Sequence, residues 1–220
     1  MPSESLDPDA LRAEREAIAA LVDPQPPPSP ALLEAARALQ ALGRWIVCSE
    51  DDPERLAGLA SELQALAARA AAAQDQRSRW LARERLPANR QQPNARATHP
   101  LLGAVSPVAP PLALRVEGER VLAEVCFDAR FEGNLGWVHG GFVAAGFDIL
   151  LVQAARLSGR GGPTGTLSVR FRRPAPTGER LRYAGWFERA EGRKLVARAE
   201  LRGAQGELLA EAEAIVVAPA

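Results

Sequence analysis

An apolar segment that carries a single acid constrains the fold of this chain more than any other feature. Between residues 142 and 155 no side chain is charged except that of Asp148. The spacing predicts a long helix over about 140–157, opened by a polar His139-Gly140-Gly141 turn and apolar on nearly every side. Because such a helix needs a sheet that wraps around it, the segment favours an α+β fold.

Apolar and polar residues alternate on both sides of this helix, which is the pattern of half-buried strands. Two strands are predicted before the helix and four after it, with hairpin turns at 117–119, 190–192 and 203–206. The apolar faces of the strands beside the helix are Val121, Ala123, Val125 and Phe127 on one side, and Leu167, Val169 and Phe171 on the other. The sequence therefore predicts an antiparallel sheet, with its last strands in a meander.

The first 86 residues are predicted to be helical. Helices are expected over 11–22, over about 30–47 and along a leucine stripe at 56–70, with a stiff proline-rich break at 24–30. We interpret the later two as a long helical hairpin. Residues 87–111 are rich in Pro, Asn and Gln, which neither helix nor strand tolerates well. The sequence thus predicts two domains, a helical extension over 1–95 and a second domain over 96–220.

Charge and composition exclude several classes of partner. Lysine plus arginine equals aspartate plus glutamate, 27 of each, so the total charge indicates neither nucleic acid nor an anionic membrane. No segment approaches the roughly 18 uncharged apolar residues of a membrane span, and the start lacks a signal-peptide core. Cys48 and Cys126 show no metal-ligand spacing. We expect a soluble, cytoplasmic protein with reduced thiols and no metal.

The residues around the predicted helix resemble a known family. His139-Gly140-Gly141, with Asp148 nine positions after the histidine, is similar to the motif of the PaaI-type branch of hotdog-fold acyl-CoA thioesterases. Residues 164–174, Thr-Gly-Thr-Leu-Ser-Val-Arg-Phe-Arg-Arg-Pro, resemble that family's strand after the central helix. The resemblance covers about 101–218. It implies a hotdog fold, in which an antiparallel sheet wraps a long central helix, a homodimer or dimer of dimers, and no cofactor besides the coenzyme A of an acyl-CoA substrate.

The motif also has a physical rationale. Hydrolysis of a thioester builds negative charge on the carbonyl oxygen, and unpaired N–H groups at a helix N-terminus are preorganised donors for it. Gly141 is the predicted donor, because glycine lets a substrate approach the backbone closely, and Gly140 permits the turn into the helix. Burying the Asp148 carboxylate is costly unless it is partnered or used. The resemblance implies that this acid serves the thioester bound by the facing subunit, as a general base or a nucleophile.

Other candidate residues surround the motif, each with a structural alternative. His139 orients substrate or holds the turn by bonding the backbone, and Trp137 lines the substrate channel or simply packs. Asn134 resembles the family's asparagine ahead of the glycines. Thr164 matches a threonine that positions water in related proteins, and Thr166 is the alternative because period-two geometry puts it on the same strand face. For Asn134 and both threonines an ordinary turn or strand role stays open.

Arginines after the helix are candidates for the phosphates of coenzyme A. Arg170, Arg172 and Arg173 have the fork-shaped donor group that pairs well with phosphate oxygens, although a solvated strand face is the alternative. The leading hypothesis is an acyl-CoA thioesterase. The alternative is a non-catalytic acyl-CoA sensor or scaffold, in which the helical hairpin docks another protein.

Overall fold

The structure, a computed structural model, describes residues 28–49, 52–73 and 99–219. Its N-terminal part contains helices α1 (Pro30–Cys48) and α2 (Pro53–Ala73). Both were predicted, and α2 begins at its proline with Glu54 in the first turn, where proline and an acid suit a helix start. The helix predicted over 11–22 lies outside the described residues. No described helix is long and apolar enough to cross a membrane.

The C-terminal part is an antiparallel sheet with one long helix against it. The elements in chain order are β1 (Ala113–Glu117), β2 (Arg120–Cys126), a 3-10 turn (Ala129–Phe131), β3 (Glu132–Asn134), β4 (Trp137–Val138), α3 (Gly140–Arg156), β5 (Thr164–Phe171), β6 (Arg180–Glu191), β7 (Lys194–Arg202) and β8 (Leu208–Val217). The six-stranded sheet has the order β1-β2-β6-β7-β8-β5. The predicted α+β class is confirmed, and β6, β7 and β8 form the predicted meander.

The small hairpin of β3 and β4 was not predicted. Its strands are three and two residues long, too short to show an alternating pattern. The hairpin is tied to the segment after β5, because Val138 N donates to Ala175 O at 2.8 Å. Gly133 allows a close approach to the start of α3, since a Cβ there would lie 2.9 Å from His139 Cα. The hairpin therefore fixes the residue that opens the helix.

The described residues divide into two compact units, one within Met1–Val47 and Pro93–Ala220 and the other within Cys48–Gln92. In the first unit, α1 buries Ala36 and its Gln40 Nε2 donates to Ser106 O at 3.0 Å. Arg44 Nη1 lies 3.9 Å from Asp128 Oδ2. The predicted pairing of α1 with α2, and the predicted domain boundary after residue 95, stay predictions.

Helix α3 supplies much of the core. Phe147, Leu150 and Leu151 are fully buried and pack with residues of the sheet, among them Tyr183. The Tyr183 hydroxyl donates to Val143 O at 3.2 Å, and its ring meets Phe147 edge-on with 5.0 Å between centroids. These contacts pack α3 against β6 of the sheet.

Gly146 makes this close seating possible, because a Cβ there would lie 2.6 Å from the Tyr183 hydroxyl oxygen. We expect Gly146→Ala to lower the free energy of unfolding by about 1–3 kcal/mol through overpacking, although alanine is the better helix former. Gly43→Ala in α1 is the matched control, since its Cβ would meet only Arg130 Cδ at 3.6 Å. Denaturant unfolding measures both. A Gly146→Ala protein as stable as the parent would contradict the packing argument.

Candidate active site

His139 caps the start of α3 through its side chain. Its Nδ1 accepts a hydrogen bond from Gly141 N at 2.9 Å, and its backbone is outside the helical region with φ −59° and ψ 131°. An Nδ1 that accepts leaves the proton of the neutral ring on Nε2. Two roles were predicted for His139, and the structure contains the hydrogen bond to the backbone that one of them requires. A direct contact with substrate stays a prediction.

The capping bond also bears on Gly141, the predicted donor to a carbonyl oxygen. Gly141 is exposed, but its N–H already has the His139 acceptor. A substrate oxygen would have to share this proton or replace the imidazole, and shared N–H groups are common at helix ends. The role of Gly141 stays a prediction, and the His139 imidazole would compete with substrate for its N–H.

A cavity of about 840 Å³ opens beside the cap. One wall comes from the β3–β4 hairpin and the first residue of α3, and the other from the end of β5 and the segment after it. It brings together six of the predicted site residues: Asn134, Trp137, His139, Gly140, Arg172 and Arg173. Gly141, Asp148 and Thr164 are not among its lining residues. Within this chain the cavity and the acid are therefore separate.

Asp148 lies on a stripe of α3 that is less buried than the rest of the helix. The residues of this stripe are half-buried, while the opposite side of the helix is fully buried; the stripe consists of Ala144, Ala145, Asp148, Val152 and Arg156. The Asp148 carboxylate accepts a hydrogen bond at Oδ1 from the Thr164 hydroxyl, 2.7 Å away. The structure thus joins two of the predicted residues, and Thr164 reaches the acid from the first position of β5.

The prediction that Thr164 and Thr166 share a strand face is wrong. Thr164 pairs with Val216, which is fully buried, whereas Thr166 pairs with Ile215 on the outer face. The shift between these pairs is a β-bulge at Gly165, which breaks the period-two alternation. A Cβ at Gly165 would lie 2.9 Å from Val217 Cγ2, so glycine suits the bulge. Thr166 is exposed, and its contact with substrate stays a prediction.

His99 is a titratable residue that sequence reasoning missed, and the charge of Asp148 acts on it. Its ring is half-buried, and its Nδ1 accepts a hydrogen bond from Leu101 N at 3.2 Å. Burial lowers the pKa of His99, and the negative charge of Asp148 opposes this shift. The two residues are 49 positions apart without a linking motif, so only the folded chain brings them together.

The three candidate arginines differ in their partners. Arg172 Nη2 forms a close ion pair with Glu211, and Arg170 Nη1 lies 3.9 Å from the same carboxylate. Arg173 lines the cavity, and among the described residues no carboxylate lies within ion-pairing distance of it. Arg173 is therefore the candidate cation whose charge is least compensated.

The part of the chain that the structure describes contains no group of three His, Cys, Asp or Glu side chains placed to hold a metal ion. Both cysteines, Cys48 and Cys126, are exposed free thiols.

The segment that carries these residues is similar to known proteins. Residues 135–210, which include the cap, the acid and Thr164, match the family model of the thioesterase superfamily. A crystal structure of a thioesterase superfamily protein aligns with a TM-score of 0.70 and 26% identity, covering 87% of this chain and 97% of that one. Among curated proteins no match was found.

Two further solved structures overlap with about half of the chain. The PaaI protein of E. coli, from the phenylacetic acid degradation operon, aligns at 14% identity and a TM-score of 0.46, covering 50% of this chain and 80% of that one. Zebra fish thioesterase superfamily member 2 aligns at 18% identity and a TM-score of 0.46, covering 49% and 81%. The narrower resemblance to the PaaI-type branch stays a prediction. The chain has the hotdog fold, and its residues 135–210 match the thioesterase superfamily.

Proposed function

We propose that this protein is a thioesterase that hydrolyses an acyl-CoA thioester to a free acid and coenzyme A. The observation that carries the proposal is the Asp148 carboxylate, held by the Thr164 hydroxyl at 2.7 Å inside the segment that matches the thioesterase superfamily. A carboxylate with one oxygen engaged by a hydroxyl keeps its second oxygen for water or for a carbonyl carbon. Thr164 binds Oδ1, so we assign Oδ2 to the reaction.

The proposed site is assembled across a dimer. Gly141 and Asp148 lie two helical turns apart, about 10 Å along α3, which is too far for both to serve one carbonyl from the same protomer. Asp148 lies on the half-buried stripe of α3, where a facing subunit could receive it. In this scheme the Gly141 N–H of one protomer polarises the carbonyl oxygen, and Asp148 of the facing subunit activates water or attacks directly.

His139 has a defined place in this scheme. Until substrate binds, its Nδ1 holds the Gly141 N–H at 2.9 Å and orients the first turn of α3. The carbonyl oxygen then shares this donor or takes it over. Hydrogen bonds aimed at a developing oxyanion strengthen as charge builds, so the exchange favours the transition state over the free enzyme.

Arg173 is the proposed contact for a coenzyme A phosphate, because it lines the cavity without an ion-pair partner among the described residues. We expect Arg173→Ala to raise KM for an acyl-CoA by about tenfold with little change in kcat, the effect of one lost charge-assisted hydrogen bond. KM for the same acyl group on N-acetylcysteamine, which has no phosphate, should not change. Arg198→Ala, which removes an exposed arginine already paired with Glu213, is the control. An equal rise in KM for both substrates would contradict the phosphate contact.

The proposal as a whole is tested by thiol release from a panel of acyl-CoA thioesters of different chain length and aromaticity. Turnover that saturates with substrate supports it. Saturable binding of acyl-CoA without any turnover would instead favour the sensor or scaffold. This second function is favoured by the apolar residues that α1 leaves exposed, which are Leu32, Leu39 and Ile46.

A further inference from the structure

We propose that Glu132 is a positioning residue for the cavity beside the helix cap, and that Thr177 is its partner. A hydrogen bond between the two side chains joins the segments that form the opposite walls of the cavity, and so it holds the walls at a fixed spacing. The inference rests on the proposed function, because it assumes that acyl-CoA occupies this cavity. Neither residue lines the cavity itself, and neither belongs to the sequence motif around His139.

The Glu132 carboxylate holds two groups with one oxygen. Its Oε1 accepts a hydrogen bond from the Thr177 hydroxyl at 2.9 Å and another from Gly136 N at 3.2 Å. Gly136 lies in the turn of the β3–β4 hairpin, whereas Thr177 belongs to the segment after β5. Both side chains are half-buried, and bonds to a charged acceptor are about twice as strong as bonds between neutral groups. One carboxylate therefore connects the hairpin turn to the other wall.

The backbone supports this connection at the same place. Thr177 N donates to Gly136 O at 3.0 Å, and Trp137 forms an isolated antiparallel bridge with Pro176. Because proline has no N–H to donate, regular strand pairing cannot continue along this segment. The side-chain bonds of Glu132 therefore add to a backbone pairing that is short by itself.

The connection matters most for Trp137, which follows Gly136 directly. Trp137 lines the cavity, and 44% of its surface is exposed. Gly136 has a φ of +79°, a conformation that glycine adopts at little cost. Strands of three and two residues form few bonds of their own that could define this turn. Glu132 therefore supplies the constraint that places the Trp137 ring beside the bound substrate.

Binding of an acyl-CoA thioether, in which a methylene group replaces the carbonyl, tests the inference without turnover. We expect Glu132→Ala to raise the Kd of the thioether about tenfold in isothermal titration calorimetry, because the loosened wall must be ordered on binding. Glu132→Gln should recover most of the loss, since its amide oxygen can still accept from Thr177 and Gly136. Glu179→Ala is the matched control, because it removes an exposed acid from the same segment as Thr177. It should leave the Kd unchanged.

A double-mutant cycle tests whether the two residues act together. Thr177→Val removes the hydroxyl and keeps the shape of the side chain, so it should raise the Kd by a smaller factor than Glu132→Ala. With both substitutions, the rise should be smaller than the product of the single effects, because both remove the same bond. In steady-state hydrolysis these substitutions should raise KM and leave kcat nearly unchanged, since neither residue touches the reacting atoms.

A role in stability alone would lower the melting temperature and leave the Kd of the folded protein unchanged, and this result would overturn the inference. Equal losses in Glu132→Gln and Glu132→Ala, or single effects that multiply in the double mutant, would also overturn it. The proposed function fails separately. A parent protein that binds the thioether but releases no thiol from acyl-CoA would overturn hydrolysis, and binding would still decide the positioning role. A parent protein that binds no acyl-CoA would overturn both.

Discussion

Asp148→Asn should lower kcat for acyl-CoA hydrolysis by about 10²–10⁴-fold while the protein stays folded, which is the usual contribution of a positioned acid or base. Asparagine keeps the shape of the side chain and an oxygen that can accept from Thr164, but it lacks the charge that activates water. The residue is half-buried, so the substitution should disturb the core little. Steady-state thiol release measures the effect, and circular dichroism checks the fold.

The matched control is Glu213→Gln, which removes one carboxylate of β8 that pairs with Arg198 and not with a candidate site residue. If both proteins lose activity equally, the loss comes from charge removal in general and not from Asp148. A folded Asp148→Asn protein with the kcat of the parent would remove this acid from the mechanism. A rise in KM alone would assign Asp148 to binding.

Gly141→Pro should lower kcat by about 10²–10³-fold, the usual effect of removing one donor to an oxyanion. Proline is tolerated in the first turn of a helix because the N–H there has no partner within the helix ladder. The substitution removes the proton proposed to bind the carbonyl oxygen, and with it the capping bond to His139 Nδ1, so circular dichroism must show that α3 stays folded. Gly141→Ala keeps that proton, although its Cβ would lie 3.0 Å from His139 Nδ1, and it should lose less activity.

Mixing the two inactive proteins tests whether the site is shared between protomers. In a dimer formed from one Asp148→Asn chain and one Gly141→Pro chain, one of the two sites has both an intact acid and an intact amide. Random exchange makes half of the dimers mixed, so the mixture should regain about a quarter of the parent turnover. Failure to regain activity after verified exchange would place both groups in one protomer's site and contradict the proposed scheme.

The sequence predicted most of the fold because its long elements repeat a pattern many times. Helix α3 was expected over about 140–157 and spans Gly140–Arg156. The long strands after it also follow the predicted alternation. The hairpin of β3 and β4 was missed because strands of three and two residues show no period. The long elements of the core show a repeated pattern of apolar residues, so they can be predicted from the sequence. The short elements beside the site show no such pattern.

The candidate site was predicted only in part. Resemblance pointed to His139, Asp148 and Thr164, but it could not show that the His139 imidazole occupies the Gly141 N–H. The charge of Asp148 acts on His99 only because of tertiary folding, and the sequence around one residue does not indicate the other. Interactions of this kind depend on where chain segments meet in space, which a linear pattern does not encode.

The bulge at Gly165 decides which threonine can serve the acid. Without the bulge, β5 would pair regularly with β8, and Thr164 would shift by one residue along β8 and point outward. Gly165, which has no hydroxyl, would then face the helix. The bulge at Gly165, and not the regular alternation of the strand, therefore determines that Thr164 is the partner of Asp148. Insertions and deletions next to Gly165 should therefore be tolerated less well than substitutions on the exposed face of the same strand.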